Sequence, residues 1–266
     1  MARKMVFDRE HAKLINQRRK EALDSFLPRI IEEWAFKNAL DAGCGVGIFS
    51  EYMRGLGNLH VTAFDAREGN VDEARIRYPG IDFLVCDVED PKVRELGETY
   101  DLVLCLGLLY HLENPFAAIR NLRALTKKIL IIESMVTPSS RSVAKLVDEC
   151  IGDDQSLNYV TFIPSEACLV KMLYRSGFKA VYRLKRLPDH DDFRKTINHK
   201  RRRTIVLASN EQLDSPLFSM VEEPLEPPRY LWHRAHIRCA LASRRWLFKH
   251  WKRCVSFWKG HKAKSQ

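Results

Sequence analysis

Three glycines alternate with other residues in the segment LDAGCGVGIFS, which spans residues 40–50. Gly43, Gly45 and Gly47 follow a short apolar run that contains Asp41. Glycine loses more conformational freedom on folding than any other residue, so this spacing indicates a tight turn that a ligand approaches closely. A helix that begins directly after such a turn presents backbone N–H groups and the positive end of its dipole. The segment therefore predicts a site against which a nucleoside can lie.

The pattern differs from two other loops that bind nucleotides. The dinucleotide fingerprint G-x-G-x-x-G requires a third glycine at position 48, which is Ile48. No Gly-Lys-Ser or Gly-Lys-Thr follows, which excludes a P-loop. Asp41 would instead place a carboxylate where the ammonium group of a ligand could lie. The alternative is a tight strand-to-helix turn that binds nothing.

Two further carboxylates lie at the ends of the next two predicted strands. Asp65 ends the run LHVTAFD, 20 residues after Gly45, and Asp87 ends the run IDFLVCD. In an open α/β sheet, ligands bind beyond the carboxyl ends of the strands, where an acid accepts hydrogen bonds from ribose hydroxyls. We expect Asp65 to bind such hydroxyls and Asp87 to lie beside the base. Each acid taken alone could equally cap a helix.

Alternating strand-like and helix-like segments must position these residues. Residues 1–37 are predicted to be N-terminal helices, interrupted at Pro28, and the apolar runs that follow are nearly continuous. Strands that alternate with helices indicate a doubly wound parallel sheet covered on both faces. The predicted strands are 38–43, 59–65, 81–87, 100–107, 127–134, 178–187 and 201–209, and the predicted helices are 46–56, 69–77, 91–96, 115–125 and 165–176.

Segments that depart from this alternation of strands and helices divide the chain into regions. Residues 38–209 form the predicted α/β domain, and about 135–165 within it are expected to be an inserted helix and loop that act as a cap. The segment 210–228 is acidic and rich in proline, which predicts a linker. Residues 229–266 form a basic aromatic tail, and the basic stretch 199–209 is expected to be an exposed strand entry.

The tail carries the basic imbalance of the whole chain. The formal net charge is +10, and residues 227–266 contain eleven Lys or Arg and no Asp or Glu. Four tryptophans, Trp232, Trp246, Trp251 and Trp258, also lie there. A Trp-rich apolar face beside a cationic face is typical of a helix on an anionic membrane surface. The same residues would serve RNA through phosphate contacts and base stacking. A helix that packs on the body or on a partner is the third alternative.

Cysteine usage and apolar runs bear on the compartment. The seven cysteines are scattered and form no CxxC pair, which is typical of reduced thiols and indicates no metal site. The start MARKMVFDREHAKL lacks the apolar core of a signal peptide. No apolar run approaches the ~20 residues of a membrane span. We expect a cytoplasmic protein, with peripheral membrane attachment through the tail as the alternative.

The segments LDAGCGVG, AFDARE, LVCDVED and YDLVLCLGLLYHLENP resemble, in order and spacing, the motifs of class I S-adenosylmethionine-dependent methyltransferases. The resemblance covers about residues 38–209 and implies a Rossmann-like seven-stranded sheet with S-adenosylmethionine as cofactor. It implies that the glycine loop holds the methionine part, Asp65 the ribose, and Asp87 with Val88 the adenine edge. The cofactor-binding residues so implied are Asp41, Gly43, Cys44, Gly45, Gly47, Asp65, Ala66, Asp87, Val88, Leu106 and Gly107.

Tyr110 and His111, in the stretch GLLYHLENP, are the catalytic candidates on the side of the methyl acceptor. Methyl transfer mainly requires that the nucleophile is positioned, and a base helps where the acceptor is protonated. His111, with an ordinary pKa near ~6.5, could take a hydroxyl proton, or it braces the following helix. Tyr110 lines the site, or it is a buried aromatic residue whose hydroxyl is hydrogen-bonded.

Two segments are similar to one branch of these enzymes. GLLYHLENP and NYVTFIPSEACLVKMLYRSGF, residues 158–178, resemble the tRNA wobble-uridine carboxymethyltransferase family. That resemblance implies that Tyr110, and more weakly Arg194, contacts the carboxylate of a carboxylated cofactor. Members of that family carry a longer N-terminal region that adds a lysine, whereas about 37 residues precede the first strand here. We therefore expect ordinary S-adenosylmethionine.

The sequence as a whole predicts an enzyme. We expect it to transfer a methyl group from S-adenosylmethionine to an oxygen or nitrogen of a small-molecule or lipid-linked acceptor. The first alternative is methylation or carboxymethylation of an RNA base. The second is a regulatory subunit that binds S-adenosylmethionine without catalysis.

Overall fold

The computed structural model describes residues 5–97, 99–149, 155–193 and 202–225. The chain divides into two units, Met1–Pro224 and Leu225–Gln266. The predicted basic aromatic tail, 229–266, and Arg194 lie outside the described residues. The three alternatives for that tail therefore stay predictions.

An eight-stranded mixed sheet forms the centre of the first unit, and a two-stranded sheet lies apart from it. The strands are β1 (Asn38–Ala42), β2 (His60–Asp65), β3 (Asp82–Val85), β4 (Tyr100–Leu106), β5 (Thr126–Met135), β6 (Ala144–Asp148), β7 (Val160–Pro164), β8 (Ala180–Leu184), β9 (Arg203–Ser209) and β10 (Phe218–Met220). The order in the large sheet is β10-β8-β9-β5-β4-β1-β2-β3. Strands β1 to β5 pair in parallel, whereas β9 runs antiparallel to β5 and β8. The predicted α/β class is confirmed.

The helices lie where the apolar spacing predicts them. They are α1 (Glu10–Asp24), α2 (Leu27–Glu33), α3 (Ile48–Arg54), α4 (Glu68–Arg77), α5 (Pro115–Leu125) and α6 (Glu166–Arg175), with short 3-10 helices at Val6–Asp8, Pro91–Leu96 and Leu109–His111. Pro28 lies in the first turn of α2, and Pro115 begins α5. Both positions suit proline, because the first-turn N–H groups of a helix have no partner within it.

The core lies on both faces of the sheet. Successive residues of a strand point to opposite faces, and in β4 Leu102 and Leu104 belong to one apolar cluster while Val103 and Cys105 belong to another. The first cluster includes residues of α1, α2, α3 and α4, and the second includes residues of α5 and α6. This two-sided burial explains why the strands read as almost continuous apolar runs.

The inserted segment 135–165 does not contain the expected helix in its described residues. It forms β6 and β7, which pair antiparallel as a small sheet. Val143, Leu146 and Val147 have the spacing of a helix face, but a short apolar run of this kind fits a strand equally well. Strand β7 packs against the 3-10 helix Leu109–His111, so the segment lies beside the predicted acceptor residues.

The prediction that 210–228 is a plain linker is wrong for the described residues of this segment. It contains β10, which pairs antiparallel with β8 and adds an eighth strand to the seven that the motifs imply. Leu213 and Phe218 are buried, and the Phe218 ring packs edge-on against Phe26 with 4.9 Å between ring centroids. These apolar side chains tie the segment to α2 and the sheet.

The topology creates a crevice at the carboxyl ends of the central strands. Strand β1 has β4 on one side and β2 on the other, so the chain order reverses at β1. In doubly wound sheets the crevice at such a reversal, beyond the carboxyl ends of the strands, is the usual ligand site. Among the described residues, no helix is long and apolar enough to span a bilayer.

Candidate functional site

A cavity of about 470 Å³ opens at the carboxyl ends of β1, β2, β3 and β4. It brings together most of the residues that the sequence predicts. The predicted residues that line it are Gly43, Asp65, Ala66, Asp87, Val88, Leu106, Gly107, Tyr110 and His111. The predicted residues that do not line it are Asp41, Cys44, Gly45 and Gly47.

The glycine loop has a backbone that other residues rarely adopt. Gly43, Gly45 and Gly47 have φ angles of +75°, +54° and +84°, all in the left-handed region that glycine tolerates without strain. A Cβ on Gly43 would lie 2.7 Å from the Leu108 side chain, and one on Gly45 would lie 2.6 Å from the Phe7 ring. The three glycines are therefore required by the turn and by its close neighbours.

The N–H groups of this loop are engaged within the protein. The N–H groups of Gly43 and Cys44 donate to the Phe64 carbonyl at 2.8 and 2.9 Å, and that of Gly47 donates to the Cys44 carbonyl at 2.9 Å. The N–H groups of Gly43, Cys44 and Gly47 thus have partners within the protein, contrary to the expectation that they face a ligand, and no residue of α3 lines the cavity. What the loop offers the cavity is Gly43, a surface without a side chain. Burial raises the pKa of the Cys44 thiol, which makes it an uncharged packing residue.

Asp41 is a structural residue rather than a contact of the cavity. Its side chain is buried, and Oδ2 accepts a 2.7 Å hydrogen bond from Ser50 Oγ in α3. Burial raises the pKa of this carboxyl to about 7; the Ser50 hydrogen bond opposes that shift, and the charge of Asp65 adds to it. The expected role of Asp41 as the partner of a ligand ammonium group is not supported.

Asp65 is held at the cavity by its neighbours. Oδ2 accepts the Gly45 N–H at 3.0 Å, and Oδ1 accepts the Arg67 N–H at 2.9 Å and an Asn70 side-chain N–H at 3.1 Å. A carboxylate has about four lone-pair positions. The group is therefore oriented and keeps one acceptor position for a ligand hydroxyl. Gly45 does not line the cavity, but its N–H helps to orient the Asp65 carboxylate, which does.

Asp87 and Val88 lie at the next strand end. Asp87 Oδ1 accepts the Glu89 N–H at 2.9 Å, and the Val88 carbonyl accepts a 2.8 Å hydrogen bond from the buried Asn121 side chain. Phe64 and Cys86 line the cavity beside them. This end of the cavity combines a flat apolar wall with polar groups at its edge.

A network of buried charges lies at the other end of the cavity. Glu133, fully buried at the end of β5, accepts a 2.8 Å hydrogen bond from Arg19 Nε and a 3.0 Å hydrogen bond from Arg203 Nη1. Arg203 Nη2 donates to the Tyr110 hydroxyl at 3.2 Å. A Cβ on Gly107 would lie 2.6 Å from Arg19 Nη2, so Gly107, with φ +76°, makes room for this guanidinium group.

Both interpretations of Tyr110 hold at once, because it lines the cavity while its hydroxyl is hydrogen-bonded. The expectation that 199–209 is an exposed strand entry is wrong for Arg203, which is 8% exposed. Sequence reasoning missed Arg19, Glu133 and Arg203 as site residues. The one local signal was a glutamate inside the apolar strand KKILIIES.

His111 faces a carboxylate that comes from the inserted segment. Its Nδ1 lies 3.1 Å from Glu149 Oε1, and both side chains are nearly buried. Burial lowers the pKa of His111; Glu149 opposes that shift, and the charge of Arg203 adds to it. The imidazole ring also lies against the Tyr110 ring, with 4.2 Å between ring centroids and a tilt of 42° between the ring planes. The lowered pKa favours the neutral imidazole at the cavity wall.

The family follows from the fold, the cavity and one further match. A family model described as a methyltransferase domain matches residues 15–182. This chain belongs to that family. The matched stretch of the methyltransferase domain runs from α1 to β8 and includes Asp65, Asp87, Tyr110 and His111.

Curated relatives match part of this methyltransferase domain. "Ubiquinone biosynthesis O-methyltransferase" of Xanthomonas euvesicatoria pv. vesicatoria is 34% identical over 127 residues, 45% of this chain and 52% of the relative. The protein of the same name from Vibrio campbellii is 34% identical over 95 residues, 34% of this chain and 40% of the relative. The chain thus spans about half the length, or less, of these relatives.

Solved structures share the fold of the methyltransferase domain. The N-terminal domain of EvdMO1 with SAH bound has a TM-score of 0.61 at 19% identity, covering 76% of this chain and 84% of that one. Magnesium protoporphyrin IX methyltransferase from Synechocystis PCC 6803 with bound SAM has a TM-score of 0.51 at 22% identity, covering 75% and 83%. These similarities confirm the predicted Rossmann-like methyltransferase fold.

Among the described residues, no group of three or more His, Cys, Asp or Glu side chains could hold a metal ion. The cavity has two chemically different ends. One has oriented carboxylates and an apolar wall, and the other has a neutral imidazole, a phenol and two arginines. The N-terminal segment also contributes to the cavity wall, through Phe7, Ile15 and Arg19.

Proposed function

We propose that this chain transfers a methyl group from S-adenosylmethionine to a hydroxyl oxygen of a small-molecule or lipid-linked acceptor. The observation that carries the proposal is the two-ended cavity. Oriented acids at the ends of β2 and β3 suit an adenosyl group, and a neutral histidine at the far end suits an acceptor hydroxyl. The name of the curated relatives, O-methyltransferase, favours oxygen over nitrogen.

The residues at the first end fit the cofactor. Asp65 keeps one acceptor position for a ribose hydroxyl, and Asp87 with Val88 borders the apolar wall where an adenine would lie. Gly43 and Gly107 line the cavity without side chains, so a sulfonium centre can approach the backbone. When bound, S-adenosylmethionine supplies a methyl group that is already activated for displacement.

The residues at the second end would handle the acceptor. His111 is neutral, which is the protonation state that a base needs to take a proton from a hydroxyl group. Apolar side chains also line this cavity, among them Ile15, Leu112 and Leu157. An acceptor with an apolar body and one reactive hydroxyl, such as a phenol, matches this lining.

Calorimetry with the cofactor and its demethylated product tests the donor end. We expect S-adenosylhomocysteine to bind the wild-type protein and NAD not to bind. Asp65→Asn should weaken binding by about tenfold or more, because the ribose loses an ionised acceptor. Asp82→Asn is the matched control, since Asp82 lies exposed at the start of β3 and pairs with His60. Absence of heat with both cofactor forms would overturn the proposal.

Transfer of labelled methyl groups to a panel of substituted catechols and anilines tests the acceptor end. Label in catechol methyl ethers supports O-methylation, and label only in the anilines contradicts it. Cofactor binding without turnover of any acceptor, in the panel or in a cell extract, would favour the non-catalytic regulatory alternative.

A carboxylated donor is the second candidate, and one observation favours it. The Tyr110 hydroxyl, Arg203 and Arg19 form a cationic corner of the cavity, and a guanidinium pair suits a carboxylate. This would make the chain a carboxymethyltransferase of an RNA base. A carboxylated S-adenosylmethionine that binds at least tenfold more tightly than the ordinary form would favour it.

Under the proposed function, the basic aromatic tail, residues 229–266, would determine whether the enzyme binds RNA, a membrane surface or protein. Binding to tRNA that weakens steeply with salt favours RNA. Binding of the full chain to anionic but not neutral vesicles favours a peripheral membrane enzyme. A chain truncated after residue 225 that loses neither property favours the third alternative, a helix that packs on protein.

A further inference from the structure

We infer that Glu149, on the inserted β6–β7 segment, is the positioning residue that orients His111 and stabilises its protonated form. The inference rests on the proposed function, because it assigns a role in the same site. It also gives the inserted segment a chemical role, because this segment carries the partner of the base as well as Gln155, Leu157 and Asn158 at the cavity wall.

The Glu149 carboxylate is fixed on both sides. Oε1 lies 3.1 Å from His111 Nδ1, while Oε2 accepts the Ser156 N–H at 2.8 Å and the Ser156 hydroxyl at 2.7 Å. The Glu149 N–H donates to the Tyr159 carbonyl at 2.8 Å. The side chain is only 6% exposed. A carboxylate with so many fixed partners cannot rotate freely, so Oε1 stays aimed at the imidazole.

Ser156, which holds Glu149, is itself connected to the donor end. Its carbonyl accepts a 2.5 Å hydrogen bond from Arg67 Nη2, and the Arg67 N–H donates to Asp65. Ser156 is 2% exposed. The segment that carries Glu149 is thus attached to the loop after β2, which presents the predicted ribose ligand. A series of hydrogen bonds therefore connects the two ends of the cavity.

The chemistry follows from which imidazole nitrogen carries the proton. A carboxylate beside Nδ1 favours the tautomer with the proton on Nδ1. Nε2, which is buried and has no hydrogen-bond partner within the described residues, is then the nitrogen that takes a proton. The acceptor hydroxyl gives its proton to Nε2 and an oxygen electron pair to the methyl carbon. The carbon–sulfur bond breaks with its electrons on sulfur. The products are a methyl ether, a neutral thioether and an imidazolium, which later returns the proton to water.

The imidazolium is the species that needs Glu149. The groups that face His111 are Tyr110, Arg203 from β9, and Glu149 and Gln155 from the inserted segment. Arg203 repels a positive imidazolium and Gln155 carries no charge, so the Glu149 carboxylate supplies the electrostatic attraction. A buried charge without a partner is costly. Loss of Glu149 should therefore slow the step that creates that charge.

The first test reads the tautomer directly and needs no substrate. In protein labelled with ¹⁵N-histidine, we expect the long-range ¹H–¹⁵N spectrum at pH 7.5 to show His111 with its proton on Nδ1. The signal is assigned by its absence in His111→Gln. Glu149→Ala should shift the population toward the Nε2–H form, and the isosteric Glu149→Gln covers the case in which Glu149→Ala fails to fold. An unchanged tautomer in a folded Glu149 variant overturns the inference.

The second test uses acceptors of different acidity. Base assistance matters most for a hydroxyl that is protonated at working pH. We expect Glu149→Gln to lower kcat/KM for catechol by about 10²-fold, and to change that for the far more acidic 4-nitrocatechol by about threefold or less. A loss of equal size for both acceptors would indicate a merely structural role and would overturn the inference.

Glu166→Gln is the matched control for removal of a nearly buried carboxylate. Glu166, in α6, pairs with Arg183 and accepts a 2.7 Å hydrogen bond from Thr204, and it does not line the cavity. This variant should keep the His111 tautomer and the ratio of the two catechol rates. If wild type methylates no phenol but shows the Nδ1–H tautomer dependent on Glu149, the proposed acceptor fails and the positioning role stands.

Discussion

Arg19 in the N-terminal helix and Glu133 at the end of β5 are joined by a 2.8 Å hydrogen bond from Nε to Oε2, across 114 residues of sequence. Arg203 binds the other carboxylate oxygen of Glu133 at 3.0 Å. One fully buried carboxylate therefore links the N-terminal helix to β5 and β9 beside the cavity. Burial opposes its ionisation, and the two arginines together hold the pKa of Glu133 below its ordinary value.

Glu133→Gln should destabilise the protein strongly. Removing one partner of a buried ion pair costs about 3–5 kcal/mol, because the remaining charge stays buried without compensation. Here two guanidinium groups would remain. The free energy of unfolding in urea measures this loss. Glu33→Gln, which removes the exposed partner of Arg29, should change it by less than about 1 kcal/mol, and equal effects of both variants would contradict the assignment.

Asp41 should make stability fall as pH rises. Its folded-state pKa is about 7 against an ordinary 3.8. Between those values the folded protein keeps a proton that the unfolded chain has lost, so the free energy of unfolding decreases from about pH 4 to pH 7. Asp41→Asn removes this contribution and should be more stable than wild type at pH 8 by about 4 kcal/mol, since one pKa unit corresponds to about 1.4 kcal/mol.

The difference between the two proteins isolates Asp41 from the other titrating groups. Glu133, whose pKa is lowered, acts in the opposite direction but is present in both chains. Urea titrations of wild type and Asp41→Asn at pH 5 and pH 8 provide the comparison. A stability difference that does not change between these pH values would show that Asp41 is ionised in the folded protein.

Gly107→Ala should damage both the fold and the site. The left-handed backbone, φ +76°, costs a residue with a Cβ about 1–2 kcal/mol, and the new atom would displace the Arg19 guanidinium. We expect a lower urea midpoint. Gly69→Ala is the control, because Gly69 lies in the first turn of α4 with nothing within 4 Å of an added Cβ. That change should be neutral or slightly stabilising.

The local pattern predicts the sheet and the donor end for a physical reason. A strand buried on both faces is apolar throughout, and an acid at its end marks the crevice, so LHVTAFD and IDFLVCD identify both the strands and Asp65 and Asp87. The direction in which the N–H groups of the glycine loop point cannot be predicted in this way. Whether Gly43 donates to a ligand or to Phe64 depends on how close β2 lies, and spacing along the chain does not contain that distance.

The acceptor end depends on partners that are distant in sequence. Arg203 is one of three consecutive arginines, and only its pairing in β9 shows that it turns inward to Glu133. Glu149 follows a run whose apolar spacing fits a helix or a strand, and in the structure this run is the strand β6. The periodicity of a short run does not distinguish these cases, so the partner of His111 was not predictable.

Tyr110→Phe tests what the cationic corner is for. The variant leaves a buried N–H of Arg203 without its 3.2 Å acceptor, which should cost about 1–3 kcal/mol of stability. Tyr174→Phe is the control: its hydroxyl donates to the Val221 carbonyl at 2.6 Å and accepts the Val181 N–H at 3.3 Å, away from the cavity. With ordinary S-adenosylmethionine as donor, the ratio of Kd values for the carboxylated and ordinary cofactors should be the same in wild type and Tyr110→Phe. If Tyr110 instead binds a donor carboxylate, the carboxylated cofactor alone loses affinity in Tyr110→Phe, and calorimetry with both cofactors on all three proteins distinguishes the two outcomes.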